Sequence, residues 1–387
     1  YFIFSFFYLL IHTIFKFKIF YIRDMKRIIL IIISCFALQF SPAQYDGYSS
    51  NSWENQLEIE NLFLKHIDKT SFKKHLQKLT ERPHVVGSKT NEEVIRYIGE
   101  VMNKAGLDVI NYPYDVYLPK HPGSSLIEIV TPSRQVLNQK EDIISDDPFT
   151  KDSLLWKGWN AFSGSGDVTA EIVYANYGRK EDFETLKELG VDIKGKIVIA
   201  RYGGNFRGYK AKFAEANGAA GLIIYTDPKD SGFTKGLVYP EGPYYNESTI
   251  QRGSLLTTDF TGDPLTPFEP ALPLDGKKKI KRLDPKEAQL HTIPVTPIGY
   301  GEAEKILGQM KGVVVPQSWQ GGLPFTYRLD GGTSLTVRLK VDQKIDFVRA
   351  TNVIGTLKGS EAPNEWIILG CHLDSWGFGA TDPSSGT

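Results

Sequence analysis

The residues best equipped for chemistry stand near the carboxyl end, in Gly370-Cys-His-Leu-Asp-Ser-Trp-Gly-Phe-Gly-Ala-Thr-Asp382. His372 offers an imidazole, Asp374 follows two residues on, and Asp382 ten residues on across a glycine-rich turn. An imidazole and a carboxylate so placed can converge on a metal ion, while an acid close to the imidazole can orient it through its second ring nitrogen. The same spacing also describes a capped strand end with solvated acids, and spacing alone leaves both readings open. Such a site needs a rigid element just before it. Residues 366–370 form an uninterrupted apolar run closed by glycine, which predicts a strand buried on both faces of a mostly parallel sheet. The polar residues then leave the carboxyl end of a core strand, the edge at which open α/β sheets bind ligands.

The elements upstream fit an α/β chain. Apolar residues recur at helical spacing over 54–78, giving one or two amphipathic helices, and again over 91–105, where Gly106 supplies the stop. Residues 81–88 read as a turn-rich linker in which His84 is expected to be exposed, and 108–118 alternate like a strand. From 119 to 347 the texture changes to short β-like runs separated by Pro and Gly, which suggests a separate strand-rich module. Its clearest strands are 172–175, 196–200 and 221–225, and its clearest helices 182–189 and 211–217. The proline-rich stretch 259–273 excludes regular structure and predicts a long ordered loop. Strands over 333–341 and 351–356 lead back to the 366–370 run, so the middle module reads as an insertion. Gly203-Gly-Asn-Phe-Arg-Gly208 has the look of a phosphate loop but lacks the Lys-Ser/Thr ending, and reads as a turn.

With 387 residues, 41% of them apolar and 23% charged, the chain can build more than one cored domain. Forty-five basic residues balance forty-five acidic ones, so no global field favours nucleic acid or an anionic membrane. Two cysteines, Cys35 and Cys371, exclude a disulfide framework. Near the amino terminus, Met25-Lys-Arg27, the apolar residues 28–40 and Ser41-Pro-Ala43 have the three parts of a secretory signal. Translation is expected to start at Met25, with 1–24 as upstream read-through and cleavage after Ala43. A membrane helix over 1–22, or a lipid anchor at Cys35, is the alternative. Either way the mature protein is expected to work outside the cytoplasm, secreted or periplasmic.

A set of segments in one order carries a resemblance: Glu81-Arg-Pro-His-Val-Val-Gly87, Gly195-Lys-Ile-Val-Ile-Ala-Arg-Tyr-Gly203, Phe206-Arg-Gly208, Gln251-Arg-Gly253, Gly262-Asp-Pro-Leu-Thr-Pro267, Ile293-Pro-Val-Thr-Pro-Ile-Gly-Tyr300, Asn352-Val-Ile-Gly-Thr356 and the stretch from His372. From about residue 79 onward the chain resembles the glutamate carboxypeptidase II-like branch of the M28 zinc peptidases, a group that includes the catalytically dead transferrin receptors. The resemblance implies a mixed, mostly parallel α/β peptidase domain (54–118 and 348–387) interrupted by an inserted β-rich protease-associated domain (119–347). It implies two zinc ions, with His372 a ligand of one, Asp382 the bridging carboxylate and Asp374 the acid that holds His372. Two zincs roughly 3.5–4 Å apart can acidify a shared water and polarise the scissile carbonyl. The general-base glutamate and the other ligands of the family, two acids and a histidine, fall beyond the position of Thr387. The chain as given is therefore expected neither to bind two zincs tightly nor to hydrolyse peptides.

Arg201 matches the family arginine that binds the substrate's terminal carboxylate; the plain alternative is a surface arginine beside a glycine turn. Ser254 stands where the family has an asparagine on the same carboxylate, which weakens any expectation of glutamate specificity. Thr266 matches a calcium-site residue, and Glu269 occupies the position of its companion tyrosine. The activity implied is a secreted dizinc exopeptidase using a zinc-bridging hydroxide, carboxypeptidase-type and acting on small peptides. An aminopeptidase, or a non-catalytic transferrin-receptor-like binding protein, is the alternative, and homodimerisation would use a helical C-terminal domain.

Overall fold

The structure, a computed structural model, describes residues 48–376. The leader read at 25–43 and the acid Asp382 lie outside these residues. The chain divides after Lys73 into two compact units. The first holds α1 (Ser50–Lys65), whose start is capped by the Ser49 hydroxyl accepting from the Ser52 amide. Helix α2 (Lys69–Thr80) crosses the division, and Leu57, Leu62, Phe63, Phe72 and Leu76 of the two helices are exposed.

The second unit begins its α/β part with α3 (Lys89–Lys104), capped by Ser88 and stopped where Gly106 takes φ +85°. Strand β1 (Asp108–Pro119) pairs antiparallel along its whole length with β11 (Ile345–Thr356), from Asp108 opposite Thr356 to Pro119 opposite Ile345. That ladder brings the two ends of the intervening segment side by side. Within the segment lie β2 (Ser124–Thr131), β3 (Gln135–Val136), β4 (Asn160–Ala161), β5 (Gly166–Tyr174), β6 (Ile197–Arg201), β7 (Gly221–Tyr225), β8 (Gly253–Ser254), β9 (Val295–Ile298) and β10 (Thr336–Asp342).

Seven of these form one mixed sheet in the order β3-β2-β10-β5-β6-β7-β9. The pairs from β5 to β9 are parallel and the rest antiparallel. Helices α4 (Lys180–Glu188) and α5 (Arg207–Ala216) lie in the β5–β6 and β6–β7 connections. A strand in the middle of a parallel sheet is covered on both faces, which is why β6 and β7 read as unbroken apolar runs; all ten of their residues are buried. The short α6 (Pro228–Ser231) follows β7, and α7 (Tyr300–Leu307) follows β9. The stretch 259–273 is irregular, as its prolines require.

The apolar run 366–370 forms no strand, contrary to the expectation above. Trp366, Ile367, Ile368 and Leu369 are exposed, Leu369 to 95%. A doubly buried strand needs hydrogen-bonding neighbours beside it and packed layers on both faces. The described residues give this run neither, because their parallel strands all lie between Asn160 and Ile298. His84 departs from expectation too. It is buried, its amide donating to Ser375 Oγ (3.0 Å) and its Nδ1 paired with the Arg82 carbonyl (2.8 Å).

Candidate functional site

Parallel neighbours end at the same sheet edge, so the loops after β5, β6 and β7 meet at the carboxyl ends of the strands. Arg201 is the last residue of β6; Asn176 and Tyr177 follow β5, and Asp230 lies on α6 after β7. Arg201 Nη2 donates to Asn176 Oδ1 (2.6 Å), and Nη1 lies 3.4 Å from Asp230 Oδ2. The guanidinium carbon stands 4.0 Å from the centre of the Tyr177 ring, within reach of its electron-rich face. Asn176 Nδ2 donates to Asp182 Oδ1 (2.9 Å), which turns the amide oxygen towards Arg201. Asn176 itself sits at φ +49°, a left-handed conformation that asparagine tolerates.

Arg201 is therefore no surface arginine: it has no exposed area, and its Nε has no hydrogen-bond partner. The side chain of Asp230, its carboxylate neighbour, is 26% exposed. The Tyr177 hydroxyl donates to Asp230 Oδ1 (2.6 Å), and burial together with that bond pushes the phenol up to about 12. Ser254 is half-buried on β8, and its Oγ accepts from the Leu256 amide (3.0 Å). Tyr202, next to Arg201, donates to the Gln251 carbonyl (2.8 Å), and Asn160 Nδ2 reaches both Tyr202 Oη (3.1 Å) and the Gly253 carbonyl (3.2 Å). Asn160 thus links the strand end that carries Arg201 to the strand that carries Ser254.

The His372 segment is tied down only at its end. Ser375 is buried against His84, and the Trp376 carbonyl accepts from Trp159 Nε1 (3.1 Å) with the two indoles edge-to-face at 5.3 Å. His372 is exposed, and its Nδ1 lies 2.9 Å from the backbone carbonyl of Asp374, not from its carboxylate. This contact holds the ring through Nδ1 and leaves Nε2 to face a ligand, a common device in metal sites. Among the described residues no group of three or more His, Cys, Asp or Glu side chains could hold a metal ion. Thr266 is buried with its Oγ1 unpartnered, an oxygen suited to a hard cation, whereas Glu269 is exposed.

Comparison with known proteins bears on this arrangement. Residues 168–257 match the PA domain and residues 352–387 match Peptidase family M28. The chain is 35% identical over 365 residues to the glutamate carboxypeptidase 2 homolog of Caenorhabditis briggsae, covering 90% of this chain and 46% of that protein. It is 32% identical over 381 residues to aminopeptidase NAALADL1 of Rattus norvegicus, covering 92% and 49%. The chain is thus similar, along most of its length, to the glutamate carboxypeptidase-like branch of peptidase family M28. It spans about half the length of the curated M28 relatives it matches.

Several residues that build the Arg201 cradle escaped sequence reasoning. Asn176-Tyr177, Lys210 and Asp230 come from three separate stretches, and none lies in the ordered motifs of the resemblance. A usable signal existed in the glycines. Gly178, Gly203 and Gly204 all adopt positive φ, between 62° and 90°, Gly203 and Gly204 beside the Tyr177 ring and Gly178 beside the Lys210 stem. The Gln251-Arg-Gly253 motif has a structural use: Arg252 Nη2 donates to Glu141 Oε2 (2.8 Å) and to the Trp156 carbonyl (2.6 Å), all inside the protein.

Proposed function

We propose that the complete protein is a secreted, dizinc exopeptidase of the carboxypeptidase type, acting on small peptides whose terminal carboxylate is bound by Arg201. One observation carries the substrate reading. Arg201 is a fully buried guanidinium with an unpartnered Nε, and its carboxylate neighbour Asp230 stands at 3.4 Å, beyond the roughly 2.7–2.9 Å of a charge-assisted bond. A ligand carboxylate entering past the partly exposed Asp230 can take over Nη1 and satisfy Nε, the planar fork that suits carboxylates. Ser254, small and hydroxylic, leaves the side-chain preference open.

On the metal side, His372 would hold a zinc through Nε2, with Asp382 as the second donor from this chain. Two zincs, when bound, supply an acidified water and a polarised carbonyl. Thr266 would add one oxygen to a calcium site with Glu269 nearby. The signal-like residues 25–43 support action outside the cytoplasm. An aminopeptidase is the second reading, favoured by the relative of that name at 32% identity.

The test uses paired peptides with a free α-carboxylate or a carboxamide, and the complete enzyme. Arg201→Met is expected to lower kcat/KM about 100-fold for the free acids, the loss of a charge-assisted bidentate contact, and to leave the amides unchanged. Equal loss on both, or preferential cleavage from a free amino terminus in the parent enzyme, would remove the carboxypeptidase reading.

A further inference from the structure

His291 stands on the segment leading into β9, its side chain 8% exposed, where three stretches of the inserted segment meet. Its Nδ1 lies 3.2 Å from Glu215 Oε2, near the carboxyl end of α5. Its Nε2 has two oxygens in reach, the Leu255 carbonyl (3.0 Å) and Thr257 Oγ1 (3.3 Å), both just after β8. The other Glu215 oxygen accepts from the Thr292 amide (2.9 Å) and from the Thr292 hydroxyl. One imidazole thus joins the end of a helix to two loop segments.

These oxygens differ in what they can accept or give. A carboxylate and a peptide carbonyl only accept, whereas a threonine hydroxyl does either. An imidazolium donates from both nitrogens and satisfies Glu215 and Leu255 together. A neutral ring has one N–H. With that hydrogen on Nδ1, facing the carboxylate, Nε2 presents a lone pair, which the Leu255 carbonyl repels and the Thr257 hydroxyl can donate to. Placing it on Nε2 instead would set the Nδ1 lone pair against the Glu215 carboxylate. The two protonation states therefore select partners two residues apart on the same segment. Leu255 is fully buried, and its carbonyl is pressed against α5, where a Cβ on Gly208 would collide with the oxygen, so a lost donor there is costly.

The charges around the ring suit such an exchange. Glu215 is held below the usual carboxylate range, because Thr292 and His291 together outweigh the burial that opposes its charge. It therefore stays an anion through about pH 5–8, the range in which imidazoles titrate. Lys212, one turn earlier on α5, is turned to Asp259 (3.6 Å), and Arg207, at the start of that helix, lies over the Tyr202 ring (5.7 Å). The carboxyl end of α5 itself favours a cation.

We infer that His291 is a pH-dependent latch in the inserted segment: on the acid side the doubly protonated ring ties Glu215 to the Leu255 carbonyl, and on the alkaline side it gives its Nε2 proton to water, releases that carbonyl and takes the Thr257 hydroxyl. Leu255 directly follows Ser254, so the latch sets how firmly the end of β8 is held. It does not depend on what Arg201 binds.

Thermal melts of the complete protein test this, each variant being compared with the parent at the same pH so that other titrating groups cancel. His291→Gln has one amide for two acceptors and is expected to lower Tm by about 3 °C at pH 5.5 but only about 1 °C at pH 8. Thr257→Val should show the opposite profile, staying within about 0.5 °C of the parent at pH 5.5 and falling about 2 °C below it at pH 8. A merely structural contact would give differences that do not change with pH, and that outcome for either variant overturns the latch. Should His291→Gln not fold, Glu215→Gln keeps the shape and removes the charge; it is expected to cost more at pH 5.5 than at pH 8, and an equal or reversed cost overturns the inference.

Discussion

The cradle around Arg201 and the segment 366–376 are both made from residues typical of a core followed by polar groups, yet one is finished and the other is not. Arg201 leaves a strand whose neighbours on both sides are present, so loops from three consecutive strands converge on it and its charge is enclosed. His372 follows an apolar run of the same kind that has no neighbours among the described residues, and the run stays exposed. A strand-end site is built by the strands beside it, not by the strand that carries the residue.

This contrast can be broken in several ways, the largest first. Arg252→Met in the inserted segment would strand Glu141, whose side chain is 4% exposed, and should cost about 3–5 kcal/mol in chemical denaturation of the chain. A loss below about 1 kcal/mol would mean that the pair is hydrated and the segment less enclosed than described. Gly178→Ala, forced into positive φ against the Lys210 stem, should cost about 1–3 kcal/mol by the same measurement.

The pH dependence sharpens the comparison further. Burial pulls the Lys210 ammonium down from its ordinary value to about 7. Between about 7 and the ordinary lysine range near 10.5, the unfolded chain then binds more protons than the folded one. Stability supported by this group is thus fullest at high pH, is lost as pH falls through that window, and levels off below it. Thermal melts of the parent chain and Lys210→Met should diverge in the parent's favour as pH rises from 7 to 10; parallel curves would show that the lysine is not enclosed. The smallest effect belongs to the unfinished region: Ile368→Ser should change the stability of this chain by no more than about 0.5 kcal/mol, and a loss above 2 would reveal a packed run.

Much of the inserted segment was legible. The parallel strands over Ile197–Arg201 and Gly221–Tyr225 and the glycine stops after α3, α4 and α5 follow from apolar runs, turn residues and helical period. The same rule failed at 366–370, because an apolar run says that a side chain favours burial but not whether a partner layer exists. Burial of His84 was illegible for the related reason that its cover, Ser375, lies 291 residues away.

By itself, the sequence determined the family resemblance, through ordered motifs, and the positions of Arg201 and His372 at the ends of apolar runs. Only the tertiary structure decided that the first is a buried, half-satisfied cation held by Asn176, Tyr177 and Asp230. It also decided that His372 turns its Nδ1 to a neighbouring carbonyl. The reason is physical: strand and helix periods are written in neighbouring residues, whereas a charge's partners come from loops that meet only once parallel strands align their ends.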